Sequence, residues 1–143
     1  MLTTLTRFFN IYVFTRECKS LAVQIVKLLD PESIIFSDIF SRKKCFHTHF
    51  GHFLKDLRII SDKSLKDLIL IDNEAFSFGY QMDNGIPLMS WDGEETDSEL
   101  LCLIDYLIKM HKCEDVRIIN RNHLKLRELS SLSLEEIVQM FKI

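Results

Sequence analysis

An α/β fold built on a parallel sheet is what this 143-residue sequence predicts, on three observations. Short apolar runs rich in β-branched and aromatic residues alternate with stretches of helical period. The alternation proceeds without a low-complexity linker or an internal repeat, as expected of one domain over 1–143. Finally, two of the apolar runs end on polar residues, the place where ligands bind in parallel sheets.

The elements follow in chain order. "IYVFT" (11–15) is a β-rich run, and "RECKSLAVQIVKLLD" sets Leu21, Ile25, Leu28 and Leu29 at helical spacing before Pro31 stops the helix. "SIIFSDIF" is a second strand. "RKKCFHTHFGHFLKDL" mixes polar and aromatic residues around Gly51 without helical period, which predicts short strands or an irregular insertion. "DKSLKDLILIDN" reads as a helical turn leading into a strand over Leu68 to Ile71, and "GIPLMSW" as one more short strand with Trp91 as a core anchor near it. "DSELLCLIDYLIKMHKC" carries Leu100, Leu101, Ile104, Leu107 and Ile108 on one helical face. A short helical tail is expected from about 117, where Ser131 or Ser133 could cap a last helix over Leu134, Ile137, Val138 and Phe141.

Composition narrows the functional classes. The chain is 47% hydrophobic and 27% charged, ordinary for a compact domain that needs no disulfides. Its net charge of -3 gives no basic field for gripping nucleic acid phosphates or acidic lipids, so direct nucleic acid and membrane partners are not expected. No apolar run reaches the ~18–20 residues of a spanning helix, and the start lacks a basic leader. Cys18, Cys45, Cys102 and Cys113 are widely spaced, which fits reduced thiols and an intracellular, nuclear or cytoplasmic setting.

Four residues are candidates for chemistry. Asp72 and Asn73 close one apolar strand, Thr15 closes another, and Lys55 lies between them in sequence as a flexible cation. Hard oxygens that hold Mg²⁺, beside a hydroxyl and an ammonium that hold phosphate, suit phosphoryl transfer. The bland alternative stands beside it: Asp and Asn after a strand commonly cap turns, and Lys55 beside Asp56 can be a solvated pair.

A resemblance adds to these readings. "YVFTR", "FLKDL", "LILIDN", "DNGIPLMSW" and "DSELLCLIDYL" follow one another with the order and spacing of the small carboxy-terminal-domain phosphatases, over roughly residues 8–117. These are Fcp-homology domains of the haloacid dehalogenase superfamily, related to the phosphatase of the RNA polymerase II tail. The resemblance implies a Rossmannoid parallel sheet flanked by helices, with a small β insertion near residues 45–55 shaping a pocket for phosphoserine followed by proline. It also implies that Thr15 and Lys55 bind phosphate, that Asp72 and Asn73 hold Mg²⁺, and that a phosphoprotein or peptide is the partner. Two positions depart from the family pattern. Arg16 stands where Ala is usual, and Glu74-Ala75 replace Ser-Pro; the first brings positive charge beside the phosphate and the second a carboxylate near the metal.

A larger departure concerns the family's Asp-x-Asp-x-Thr motif, which supplies the aspartate nucleophile and the general acid. No Asp-x-Asp occurs in these 143 residues. The resemblance places that motif on a central first strand between the strands ending at Thr15 and Asp72, and implies that this strand is missing. Four large apolar side chains at ~1.5–3 kcal/mol each make its loss worth roughly 6–12 kcal/mol. That rivals a typical domain stability of ~5–15 kcal/mol. The sheet is therefore expected to be marginal, to close up, or to be completed by a second polypeptide. Three functional expectations follow: a phosphoserine/phosphothreonine phosphatase shortened by gene model or splicing and inactive as given; a non-catalytic binding module like the presequence receptor of the mitochondrial inner-membrane translocase; or a remnant without function. A mitochondrial setting is the less expected.

The remaining features are minor. "CFHTHFGH" offers Cys45, His47, His49 and His52, a run that could bind Zn²⁺ although the spacing fits no standard tetrahedral site. Arg42, Lys43 and Lys44 could steer acidic substrates, or form a solvated surface. Cys18 has no base beside it in sequence to make it a nucleophile.

Overall fold

The computed structural model describes residues 1–131. It contains helix α1 (Leu2–Leu5), strand β1 (Ile11–Phe14), helix α2 (Lys19–Leu29), strands β2 (Phe36–Phe40), β3 (Phe46–His47), β4 (Phe53–Leu54), β5 (Leu70–Asp72) and β6 (Gly85–Pro87), and helices α3 (Glu99–His111), α4 (Val116–Leu124) and α5 (Leu126–Ser131). Single 3₁₀ turns link several of them, including Leu65–Asp67 just ahead of β5. The last helix expected from the sequence, over Leu134 to Phe141, lies outside the described residues.

Strands β1 and β2 pair in parallel through the crossover helix α2, and β5 and β6 pair in parallel two residues further from the 3₁₀ turn than "LILI" suggests. The small β3 and β4 pair antiparallel and form the β insertion. Each pair is its own two-stranded sheet, so β1 and β5 share no ladder. Among the described residues no ladder joins the two parallel pairs.

Sequence explains the joints. Helix α2 stops at Asp30 ahead of Pro31, and the buried Asp30 carboxylate accepts the N–H groups of Ile34, Ile35 and Phe36 at 2.9, 2.9 and 3.1 Å. That carboxylate fixes the turn that returns the chain into β2. Asp115 caps α4 by accepting the Arg117 N–H at 2.9 Å. Ser33 and Lys125 take positive φ, 56° and 51°, at the tight exits of α2 and α4.

Two apolar clusters cover the opposite faces of β5. Ile69 and Ile71 pack with Leu5, Ile86, Leu103, Leu107, Met110 and Val116. Leu68 and Leu70 pack with Leu57, Ile60 and Phe78. This period of two is that of a strand buried on both sides. Buried amides lock the periphery: Asn84 donates to the carbonyls of Leu65 and Leu68, and Asn120 donates to those of Asp83 and Gly85 while accepting the Tyr106 hydroxyl at 2.9 Å.

Three expectations about packing are corrected. Trp91 is 70% exposed and donates its indole N–H to the Glu94 carbonyl, because the segment after β6 turns out along the surface instead of continuing the strand. On α3 the buried face is Leu103, Leu107 and Met110, while Leu100 and Leu101 are exposed. Helix α2 buries only Ala22 and leaves Leu21, Ile25, Leu28 and Leu29 exposed, since the layer beneath it is two strands wide.

Candidate functional site

The carboxyl ends of β1 and β5 open onto one polar cleft of ≈190 Å³. Thr15, Lys55, Asp72 and Asn73 all line it, although they are spread over 59 positions of sequence, from 15 to 73. Thr15 and the Asp72–Asn73 pair arrive there because parallel strands deliver their last residues to the same edge. Lys55 arrives by another route, from the residue after β4, whose backbone N–H is tied to the Ser77 carbonyl at 3.2 Å.

The centre of the cleft is an ion pair between the Lys55 ammonium and the Asp72 carboxylate, with side chains only 11% and 5% exposed. The second Asp72 oxygen accepts the Glu74 N–H at 2.8 Å. The Lys55 ammonium also lies 5.7 Å from the centroid of the Phe14 ring. Lys55 is thus not the partner of its neighbour Asp56. Asp56 instead binds Arg58 and Gln81, and the hydrogen bonds from the Arg58 side chain hold its carboxyl down at about 2.

Around this pair the donors are aimed by local bonds. The Thr15 hydroxyl accepts the Glu17 N–H at 3.1 Å, which folds the chain tightly after β1. The Asn73 amide nitrogen donates to the Ser90 hydroxyl at 2.9 Å, leaving its carbonyl oxygen as the free end. Arg16 and Glu74, the two positions that depart from the family pattern, form an ion pair with each other at 3.0 Å across the mouth of the cleft. Sequence reasoning named both and missed that they pair, because 58 positions separate them. Glu17, the third carboxylate in the lining, faces Arg42 at 3.8 Å.

The β insertion forms one wall. His52 stacks on Phe76 with ring centroids 3.7 Å apart, and His47 stacks on Phe53 at 4.7 Å. These stacks account for two of the histidines in the ligand-rich run. Among the described residues no group of three His, Cys, Asp or Glu side chains is placed to hold a metal ion, Cys45, His47, His49 and His52 included. Burial pushes the Cys45 thiol up, and its sulfur rests 3.7 Å from the Thr15 carbonyl. Cys18 is exposed at the start of α2, where a hydrogen bond with the Ser20 hydroxyl pulls its thiol down.

The family model for NLI interacting factor-like phosphatases matches residues 1–117. The chain belongs to that phosphatase family. Within it, CTD small phosphatase-like protein 2 of Dictyostelium discoideum is 37% identical over 123 residues, 86% of this chain and 21% of that protein. CTD small phosphatase-like protein 3 of Caenorhabditis elegans is 37% identical over 128 residues, covering 89% and 44%. The mitochondrial import inner membrane translocase subunit TIM50 of Candida glabrata is 31% identical over 140 residues, covering 96% and 28%. The chain thus spans less than half the length of these relatives. The structure of fission yeast RNA polymerase II CTD phosphatase Fcp1 bound to beryllium fluoride superposes with a TM-score of 0.53 at 13% identity, over 97% of this chain and 47% of that one. The fold is therefore the haloacid dehalogenase-like fold of that enzyme.

Proposed function

We propose that these 143 residues form the phosphate- and metal-binding side of a protein phosphoserine/phosphothreonine phosphatase-type site, and that they bind a phosphate monoester without turning it over. The observation that carries this reading is the convergence of Thr15, Lys55, Asp72 and Asn73 on one small polar cleft. Lys55 supplies charge and the Thr15 hydroxyl a directed donor for phosphate oxygens. Asp72 and Asn73 offer one carboxylate and one carboxamide oxygen. That hard-oxygen set fits Mg²⁺, which completes its shell with waters and phosphate oxygens. Bound there, Mg²⁺ would neutralise charge on the phosphate.

The roles of the cleft carboxylates support the expectation of no turnover. An aspartyl-phosphate mechanism needs an unencumbered carboxylate facing phosphorus. Of the three cleft carboxylates, Asp72 is the one assigned here to Mg²⁺, Glu74 pairs with Arg16, and Glu17 faces Arg42. The sequence holds no Asp-x-Asp to supply another. The expected partner is a phosphoprotein in an intracellular compartment, nuclear or cytoplasmic.

The test pairs binding with turnover. Titration with inorganic phosphate and with a phosphorylated Ser-Pro peptide, each with Mg²⁺, should show binding that Lys55→Ala abolishes. No phosphate should be released. Turnover that Lys55→Ala or Asn73→Ala removes would overturn the second half of the reading. Failure of phosphate to bind at all would overturn the first.

A second reading is a non-catalytic protein-binding module, favoured by the TIM50 relative that aligns with 96% of this chain. It requires peptide binding that is indifferent to phosphorylation and to Mg²⁺.

A further inference from the structure

The polar cleft has no Ala, Val, Leu, Ile or Met in its lining. Its carbon-rich wall is made of rings, those of His52, Phe53 and Phe76. Phe53 is engaged twice, by His47 stacked at 4.7 Å and by the Arg42 guanidinium 6.0 Å from its centroid. Phe76 is engaged once. His52 stacks on it at 3.7 Å with the ring planes 14° apart, and among the described residues no other ring or cation meets it. Phe76 nonetheless stays 52% exposed. With one face covered and half of the ring in solvent, its second face is open at the cleft mouth.

Local structure holds this wall ready. Phe76 lies in the 3₁₀ turn Ala75–Phe78, whose next two residues, Ser77 and Phe78, are buried and anchor it. The Ser77 carbonyl accepts the Lys55 N–H at 3.2 Å, so the ring and the ammonium are fixed to the same joint. Across from it, the Thr48 N–H donates to the His52 carbonyl at 2.9 Å, and the His52 N–H donates to the Thr48 hydroxyl at 3.1 Å. Gly51, at φ 86°, allows the tight turn between them. A wall fixed in this way takes a ligand without a further ordering cost.

The chemistry of the wall narrows what it takes. A cationic side chain would arrive beside Arg16 and Lys55, which already meet the carboxylates of the cleft. An aliphatic side chain gains apolar contact alone. A flat ring gains that contact and also the offset stacking that His52 already makes on the covered face.

We infer that the open face of Phe76 is an aromatic subsite: with a phosphoryl group beside Lys55, a ring flanking the phosphorylated residue stacks on Phe76 at the cleft mouth. The inference rests on the phosphate-binding reading above and narrows its substrate to a phosphopeptide with an aromatic neighbour beside the phosphoserine.

The test is calorimetric titration of the full chain, with Mg²⁺, by three unlabelled peptides. The first is Gly-Phe-phosphoSer-Phe-Gly, which presents a ring whichever way the chain runs through the cleft. In the second, cyclohexylalanine replaces both phenylalanines, keeping their size and adding apolarity but removing the π-system. The third carries alanine there. The phenylalanine peptide should bind at least about threefold tighter than its cyclohexyl twin, the weight of a stacked ring pair beyond area burial. In Phe76→Leu that preference should vanish. The Phe76 ring protons should move upfield when the phenylalanine peptide binds to the unaltered chain, and not with the twin. Equal or tighter binding of the cyclohexyl twin would overturn the inference, marking a merely apolar surface. So would a preference that survives Phe76→Leu, or a phenylalanine peptide no tighter than the alanine one; in both cases phosphate binding itself would stand. If none of the three peptides bound, the phosphate-binding reading would fall and this inference with it.

Discussion

Replacing Lys55 by Met keeps the length of the side-chain stem and deletes the ammonium that faces Asp72. The Asp72 carboxylate, 5% exposed, then retains one described partner, the Glu74 N–H at 2.8 Å. Stranding a buried charge in this way costs about 3–5 kcal/mol, against a total stability of ~5–15 kcal/mol for a domain of ordinary size. The urea midpoint of Lys55→Met should fall accordingly. Far-UV circular dichroism is the suitable readout, because the one tryptophan, Trp91, is 70% exposed and reports little on the core. Lys55→Met/Asp72→Asn removes both charges while the Asn oxygen can still accept the Glu74 N–H, so the double variant should regain most of the loss. A single-variant cost below about 1 kcal/mol, the range of exposed ion pairs, would refute the view that this pair is the buried electrostatic centre of the cleft. So would a double variant no more stable than Lys55→Met.

Other outcomes are expected elsewhere in the molecule. Tyr106→Phe leaves the buried Asn120 oxygen without its hydroxyl donor and should cost about 1–3 kcal/mol in urea melts; an unchanged midpoint would refute the role of that bond. In acid, Asp56 is held at about 2 by Arg58; Asp83, which burial pushes up, is brought below its usual value by Arg121 and Arg127. Both folded values are depressed, so their stabilisation is complete above the unfolded carboxyl value of ~3.9 and fades as pH falls through the folded values. Urea midpoints should therefore be lost mainly between about pH 4 and 2, and Asp56→Asn should flatten part of that slope. Glu74→Ala frees Arg16 at the cleft mouth; because the pair is exposed, stability should change by about 0–1 kcal/mol, while titration calorimetry should show tighter binding of inorganic phosphate.

The residues that sequence reasoning placed correctly are those governed by local patterns. β1 and β5 were legible from β-rich apolar runs, and α2 from its period and its stop at Pro31. Where packing depends on what another segment supplies, pattern failed. The stripe on α2 looked like a core face, but the sheet beneath it is two strands wide and covers little more than Ala22. Trp91 looked like an anchor by its chemistry, yet the chain leaves β6 toward solvent before reaching it.

By itself the sequence determined which polar residues end apolar strands, and hence that Thr15, Asp72 and Asn73 belong at one edge, because strand direction and side-chain alternation are set locally. Only the tertiary structure decided whom they meet. It turned Lys55 from its neighbour Asp56 to Asp72 and joined Arg16 to Glu74. Such pairings join segments far apart along the chain, and no spacing in a sequence encodes a distance that folding alone creates.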